Sequence, residues 1–453
     1  MSATEKLLIL CTLQPLNTET TTQIQLIAKG PIDWRLFLDL ARLNKVEPKV
    51  TSALRATATL EFVPSNVQEK LIAAAEAIRK TNVLRAARAR ELFERLNQEG
   101  IPVCVLKGML FSSILYEDVG YKRMNDVDML FKKADLPRLP KIYTDLGYFP
   151  IGERVSKNAD AQTKVSHHLP PYVSRTLDCV LGTQWGLKSP LLGFKIDYAA
   201  IWKRSLPFDY NGVTVRQMAP TDNLFHVCIH LGFFKTGLRD LMDIYNLANH
   251  PDLKIDYALF TQLIDHSGAY DVVYHSLSLA NAVCPNLNFT ATLNHIRPRV
   301  SRSLRKAVTR KTYSTHNLLQ LCSGYLSEIE KSITDYNASE HPIEKASEFV
   351  HFWKLIFFPN AREARRLCLI PEPNRLQRAL IPVLAPFSIL SAMAKEIGGL
   401  LLIGLVIKAT ADLCMALFNP FAWIKRDTQN LEHFVKQHGI TIDDYERVKS
   451  AIF

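Results

Sequence analysis

Apolar and polar positions along the chain change period several times, and each change marks a predicted element. After Asp33, which can cap a helix starting at Trp34, the residues Leu36, Phe37, Leu40 and Leu43 fall on one helical stripe. Pro64-Ser65 leads into a long helical segment, Asn66 to Gln98, and Gly100 ends it. Its many Arg and Lys residues read as a solvated face. The period then shifts. An apolar strand-like run, Ile101–Leu106, reaches Lys107-Gly108, a short helix covers Met109 to Tyr116, and a polar turn runs from Glu117 to Asn125. Asp126 to Phe131 alternates as a strand does, so Asp126, Asp128 and Leu130 share one face and Val127, Met129 and Phe131 the other.

Further along, the pattern predicts a helix from Asp135 to Leu146, a strand or loop at Gly147–Phe149 and a polar loop over 151–163. Strands are expected at His167–Tyr172 and Leu177–Trp185, and Asp197 is placed to cap a helix ending near Trp202. Asn211-Gly212 marks a tight turn before a strand at Val213–Val215, and Pro220-Thr221-Asp222 starts a helix through Phe234. On that helix His226 and His230 lie four apart, read as core or hydrogen-bonded histidines. Arg239 and Asp243 are spaced to pair on the next helix. Residues 251–345 read as more helices, and Arg362, Arg365 and Arg366 follow the aromatic run Phe349–Phe358. The most apolar part is 376–425. Its uninterrupted run, Ile397–Ile407, is bracketed by Lys395-Glu396 and Lys408 and falls short of the roughly 20 residues a bilayer span needs. With Leu384–Met393 added, it suits packing on the protein or lying on a membrane.

Composition narrows the class. With 453 residues, 47% hydrophobic and 22% charged, the chain has the balance of a globular protein of two or three subdomains. A net charge of +11 favours anionic partners such as nucleotides, nucleic acid or an acidic membrane surface. Basic residues are spread along the chain, with a denser zone at Arg297–Lys311, so no dedicated nucleic-acid patch stands out. The eight cysteines are scattered, without Cys-x-x-Cys spacing. That argues against a zinc site or a disulfide framework and for a reducing cytosol. Leu7–Leu13 is short for a signal segment and reads as a helix packed on the body.

The chemistry concentrates between Val105 and Phe131. Two carboxylates side by side at the start of an apolar strand repel each other, and a bound cation is the usual compensation. The helix start at Gly108 offers unpaired N–H groups suited to a phosphate, and Lys107 adds a mobile cation. A phosphate cradle followed by a carboxylate pair is the minimum kit for metal-assisted attack on a nucleoside triphosphate.

The segment LKG…LYEDVGYKRMNDVDML resembles the nucleotidyltransferases of the polymerase-beta superfamily, and within it a bacterial group of uncharacterised nucleotidyltransferase-like proteins. The matching residues are Lys107, Gly108, Leu115, Tyr116, Gly120, Met124, Asp126, Asp128 and Leu130. Lys122 stands where that group usually has arginine, and Met109 where many superfamily members carry serine. The resemblance continues faintly from Asp33-Trp34 to about Arg366. It implies an α+β fold, a small mixed β-sheet core embedded in a mostly α-helical protein. The expected parts are a helical region over 1–99, the core over 100–220, a helical domain over 221–375 and an apolar helical region over 376–453.

By resemblance Asp126 and Asp128 bind Mg²⁺ or Mn²⁺ and are catalytic, while Lys107, Gly108 and Lys122 hold the nucleoside triphosphate. A third acidic residue is expected near Val180–Leu187, but Gly182 takes its position and Gln184 replaces a neighbouring histidine. Asp178, on the same strand face about 13 Å earlier, is the metal-ligand substitute, and Asp197 the less suited one. The expected activity moves a nucleoside monophosphate from the triphosphate to a hydroxyl of a small molecule or protein. The alternative is a degenerate member that binds nucleotide or a partner. A membrane surface reached through 384–424 is a further expected partner, which would put the protein in the cytoplasm or at the periphery of the inner membrane.

Overall fold

The structure, a computed structural model, describes residues 1–150, 167–188, 190–232, 237–284, 289–312, 342–359 and 374–397, and a few single positions elsewhere after 312. The expected loop at 151–163, the arginines at 362, 365 and 366 and most of the final thirty residues lie outside the described residues. The chain divides into two compact units. The first comprises Met1–Ile142, Asp178–Lys188 and Phe194–Ser323; the second comprises Tyr143–Leu177, Ser189–Gly193 and Gly324–Phe453.

In the first unit, four helices precede the core: α1 (Ala3–Leu10), α2 (Thr18–Ala28), α3 (Trp34–Leu43) and α4 (Glu47–Ala56). Each of the first three starts on a capping side chain. Ser2 and Glu5 form a reciprocal capping box on α1, Asn17 caps α2, and Asp33 caps α3 by accepting from the Leu36 amide. Leu7 and Leu8 of α1 are fully buried, as the apolar run predicts. Helix α5 (Ser65–Gln98) extends about 51 Å and stops at Gly100, whose φ of +67° glycine adopts without strain. Near its end, Leu92, Phe93 and Leu96 are buried, and the Phe93 ring meets Tyr210 edge-on at 5.2 Å.

The sheet of this unit is mixed. Its strands are β1 (Cys104–Val105), β2 (Val127–Leu130), β5 (Val180–Gln184), β6 (Leu206–Tyr210) and β7 (Val213–Gln217), in the order β5-β2-β1-β7-β6. β1 runs antiparallel to β2 and parallel to β7, and β2 runs parallel to β5. β6 and β7 form a hairpin through Asn211-Gly212, both at positive φ. The apolar run at 101–106 contributes a strand of only two residues, extended by single hydrogen bonds from Arg216 N–H to Val103 O and from Leu106 N–H to Asp128 O. Helix α6 (Lys107–Ile114) follows β1 directly. The expected helix at 135–146 splits into a 3₁₀ turn, Lys133–Arg138, and α7 (Leu139–Asp145), because Pro137 cannot donate in a helix interior while Pro140 fits a first turn.

After the sheet, α8 (Tyr198–Arg204) is capped by Asp197, which accepts from the Ala200 amide at 3.0 Å. Helices α9 (Pro220–Leu231) and α10 (Leu238–Asn249) lead into a helical bundle continuing to Lys311. In the second unit, β3 (Tyr148–Pro150) and β4 (Tyr172–Ser174) pair antiparallel. His167 and His168 sit ahead of β4 with rings packed edge-on at 4.7 Å. Two helices, Pro342–Phe357 and Arg375–Ile397, pack together there. The described architecture is thus α+β, a mixed sheet set among many helices.

Candidate functional site

The register of β2 against β5 decides the geometry. Asp128 pairs with Gly182, so both residues project to the same sheet face, and Asp126 shares that face by the two-residue period. A Cβ built on Gly182 would stand 2.9 Å from Asp128 Oδ1 and 3.4 Å from Asp126 Oδ2. Both carboxylates therefore converge on the bare backbone of Gly182, the position where the sequence lacks the expected third acid. Glycine leaves a cradle between two acids, and the pairing register sets it directly beside Asp128.

Asp128 is the better described of the pair. Lys107 Nζ lies 3.1 Å from its Oδ2, and the Gln184 amide donates to its Oδ1 at 2.5 Å. Gln184 sits two residues beyond Gly182 on β5, the same face again, and its Oε1 is buried with no hydrogen-bond partner. Lys107 reaches Asp128 from a backbone at φ +43°, a left-handed conformation costing a lysine about 1–3 kcal/mol. Strain of this kind persists only where surroundings fix it. Helix α6 begins on Leu106 with no side-chain cap, so its first amides are not consumed by a capping side chain.

Gly108 has a packing reason to be glycine. A Cβ there would lie 2.9 Å from Met124 Cγ, and Met124 sulfur in turn neighbours Ser112 Oγ at 3.6 Å. The Met124 side chain thus occupies the Cβ direction of Gly108.

The other sequence-derived candidates have partners of their own. Asp178 faces Arg88, whose Nε is 3.7 Å from its Oδ1. Lys122 is buried and ion-paired with Asp243 Oδ2. Asp243 also accepts from the Tyr116 hydroxyl at 2.6 Å and lies 3.8 Å from Lys49 Nζ. Lys49 donates to Tyr116 Oη at 2.8 Å and sits over the Tyr116 ring at 4.3 Å. Asn246 completes the cluster, donating to Tyr116 Oη at 3.3 Å and accepting the Gln14 amide at 2.9 Å. Burial pushes the Lys49 ammonium down to about 7, with Asp243 opposing and Lys122 reinforcing. Burial, and then Asp243, hold the Tyr116 phenol well above its usual range. Asp243 therefore turns inward to two lysines, while Arg239, expected to pair with it, binds its neighbour Asp240 at 3.0 Å.

Helix α5, whose Arg and Lys residues were expected on a solvated face, also reaches inward. Asn82, fully buried, donates to Val119 O at 2.7 Å and Lys122 O at 2.8 Å. Arg85 donates to Met124 O at 2.8 Å, and Arg79 binds Asp118 at 2.6 Å. Burial lowers the Arg85 guanidinium, opposed in part by the charges of Cys179 and Asp126. Positions 79, 82, 85 and 88 form one i+3 ridge, and three of them clamp the turn that delivers Asp126. An interrupted polar ridge inside a helix was the available signal, but at helical spacing it looks like ordinary surface charge.

Elsewhere, His226 is buried with its ring 5.8 Å from His230. Among the described residues, no group of three or more His, Cys, Asp or Glu side chains is assembled for a metal. Six described cysteines, at 11, 104, 179, 228, 284 and 368, are free thiols.

Comparison with known proteins agrees with this core. No curated protein and no solved structure matches the chain. A family model described as an uncharacterised nucleotidyltransferase matches residues 30–285, more than half of the 453, from the capped helix α3 through the acid pair to the helices that hold Asp243. The chain belongs to that nucleotidyltransferase family.

Proposed function

We propose that this nucleotidyltransferase moves a nucleoside monophosphate from a nucleoside triphosphate to a hydroxyl of a small molecule or protein, using Mg²⁺ or Mn²⁺. One observation carries the reading: Asp126 and Asp128 converge on the Gly182 backbone beside the Lys107-Gly108 start of α6. The residues present fit a divalent cation through two carboxylates and the glycine cradle at Gly182. A cation held by Asp126 and Asp128 would supply neutralisation of triphosphate charge and a more acidic attacking hydroxyl.

The chain's own groups do the rest. Lys107 is a cation on a flexible stem, 3.1 Å from Asp128, and can exchange that carboxylate for a phosphate oxygen. The uncapped first turn of α6 offers amide N–H groups to the same anion. Gln184 fixes the Asp128 carboxylate by its 2.5 Å hydrogen bond. Catalysis in such transfers rests on positioning and electrostatics, so no covalent nucleophile is needed. The Lys122–Asp243 pair acts at a distance by anchoring the turn before Asp126.

Gly182 favours a second reading, a member that binds nucleotide or a partner without transfer. The two separate in one assay. Wild type, Asp126→Ala and Asp128→Ala are incubated with labelled nucleoside triphosphates and Mg²⁺ or Mn²⁺, and pyrophosphate release and label transfer are followed. Release by wild type alone supports transfer. Nucleotide binding without release supports the second reading, and absence of both rejects the site.

A further inference from the structure

Exposed apolar surface is unevenly distributed in this protein. Among the described residues sixteen large apolar side chains are exposed, and ten of them lie between Val350 and Ile407, in the second unit. Scattered exposed apolar residues need no explanation, whereas a contiguous set marks a binding surface.

The helix Arg375–Ile397 makes the point most clearly. Ile381, Ala385, Ile389 and Met393, spaced four apart, are buried on one face. The opposite face carries Leu376, Leu380, Val383, Leu384 and Phe387, with Leu376 and Phe387 each 70% exposed. A helix apolar all round needs a second apolar environment beyond the protein body it already packs on. The helix beside it, Pro342–Phe357, adds exposed Val350 and Phe357, and Phe358 follows at 80% exposure. No described helix is long and apolar enough to cross a membrane, and this one carries Pro382 and Pro386 within it.

Charge identifies the occupant. Residues 350–426 hold ten Lys and Arg against four Asp and Glu, a local basic excess around the apolar helix within a unit that nets close to zero over its full length. Arg375 and Arg378 are exposed at the start of the apolar helix, and Lys354 on the neighbouring one. Apolar side chains set among basic ones match the acyl boundary and phosphate headgroups of an anionic bilayer. We infer that the second unit binds the surface of an anionic lipid membrane through the Leu376–Phe387 face, lying on the bilayer rather than spanning it. This inference stands apart from the proposed transfer chemistry, whose residues all belong to the first unit.

The test is vesicle flotation of the full chain on neutral phosphatidylcholine vesicles and on vesicles with added phosphatidylglycerol, at low and high salt. Wild type is expected to float with the anionic vesicles and to be weakened by salt. Val383→Asp combined with Phe387→Asp should reduce the bound fraction about tenfold, while Leu26→Asp, at an exposed apolar position of the first unit, leaves it unchanged. The milder Phe387→Ser, checked by circular dichroism, serves if the double variant does not fold. Wild type that stays unbound, or binding equal in wild type and the variants, overturns the inference. So does light scattering that shows a lipid-free dimer which the same variants dissociate, because the face would then join two copies of the chain.

Discussion

Gly182→Asp places an acidic side chain at a point where two carboxylates already meet. The new Cβ would stand 2.9 Å from Asp128 Oδ1 and 3.4 Å from Asp126 Oδ2. Asp128 must then shift and give up the 2.5 Å hydrogen bond from Gln184, a loss of about 1–2 kcal/mol for a charged acceptor. Charge costs more. A third carboxylate about 4 Å from each of the others meets roughly 4 kcal/mol of repulsion per pair at an effective dielectric of 20. Lys107, on Asp128 at 3.1 Å, offsets about one such contribution. The net is about 5 kcal/mol in the absence of a cation, enough to lower Tm by roughly 5–8 °C in a chain of this size. Thermal unfolding in chelator and in millimolar Mn²⁺ reads this directly. The cation should recover most of the loss, because a third ligand tightens its hold on the folded state. A variant that melts like wild type in chelator, or that gains no more from Mn²⁺ than wild type does, would show that these three positions do not share a pocket.

Three further outcomes follow from the buried cluster and from α6. Asp243→Asn leaves two buried ammonium groups without their carboxylate and should cost about 3–5 kcal/mol by urea unfolding. Lys122→Met keeps the Lys49–Asp243 pair and should cost less, about 1–3 kcal/mol; the reverse order would refute the shared-carboxylate description. Lys49 titrates near 7 when folded against an ordinary 10.5, so the unfolded chain binds the extra proton between these values. Stability should therefore rise with pH from about 7 to 10.5, and Lys49→Met should flatten that slope in Tm measured across the range. Gly108→Ala drives a Cβ to 2.9 Å from Met124 Cγ and should cost about 1–3 kcal/mol, and much less when made in a Met124→Ala background; an additive double-mutant cycle rejects the contact.

The parts of the fold that follow local rules were legible in the sequence. Asp33 and Asp197 cap the helices expected of them, Gly100 ends α5, and Asn211-Gly212 turns a hairpin. Alternation gave the shared face of Asp126 and Asp128, and the β2–β5 register sets Gly182, which the family likeness had singled out, beside Asp128. What local pattern did not carry was partner choice at long range. The spacing of Arg239 and Asp243 suggested a helical pair, but Asp243 is satisfied by Lys49, Lys122 and Tyr116, all at least 121 positions away in sequence. Burial of Asn82 on α5's polar ridge was invisible for the same reason: periodicity describes one element, and Asn82 is inside only because the 119–124 turn lies over it.

That grip of α5 has an implication for how the turn can vary. Asn82 and Arg85 hold Val119, Lys122 and Met124 by their carbonyl oxygens, atoms every amino acid possesses. The path into the acidic strand is thus held by the helix as well as by the turn's own buried side chains, Tyr121, Lys122 and Met124. Side chains at positions such as 119 and 123 are at liberty to drift and adapt to a new acceptor, while the helical rail beneath them keeps its spelling.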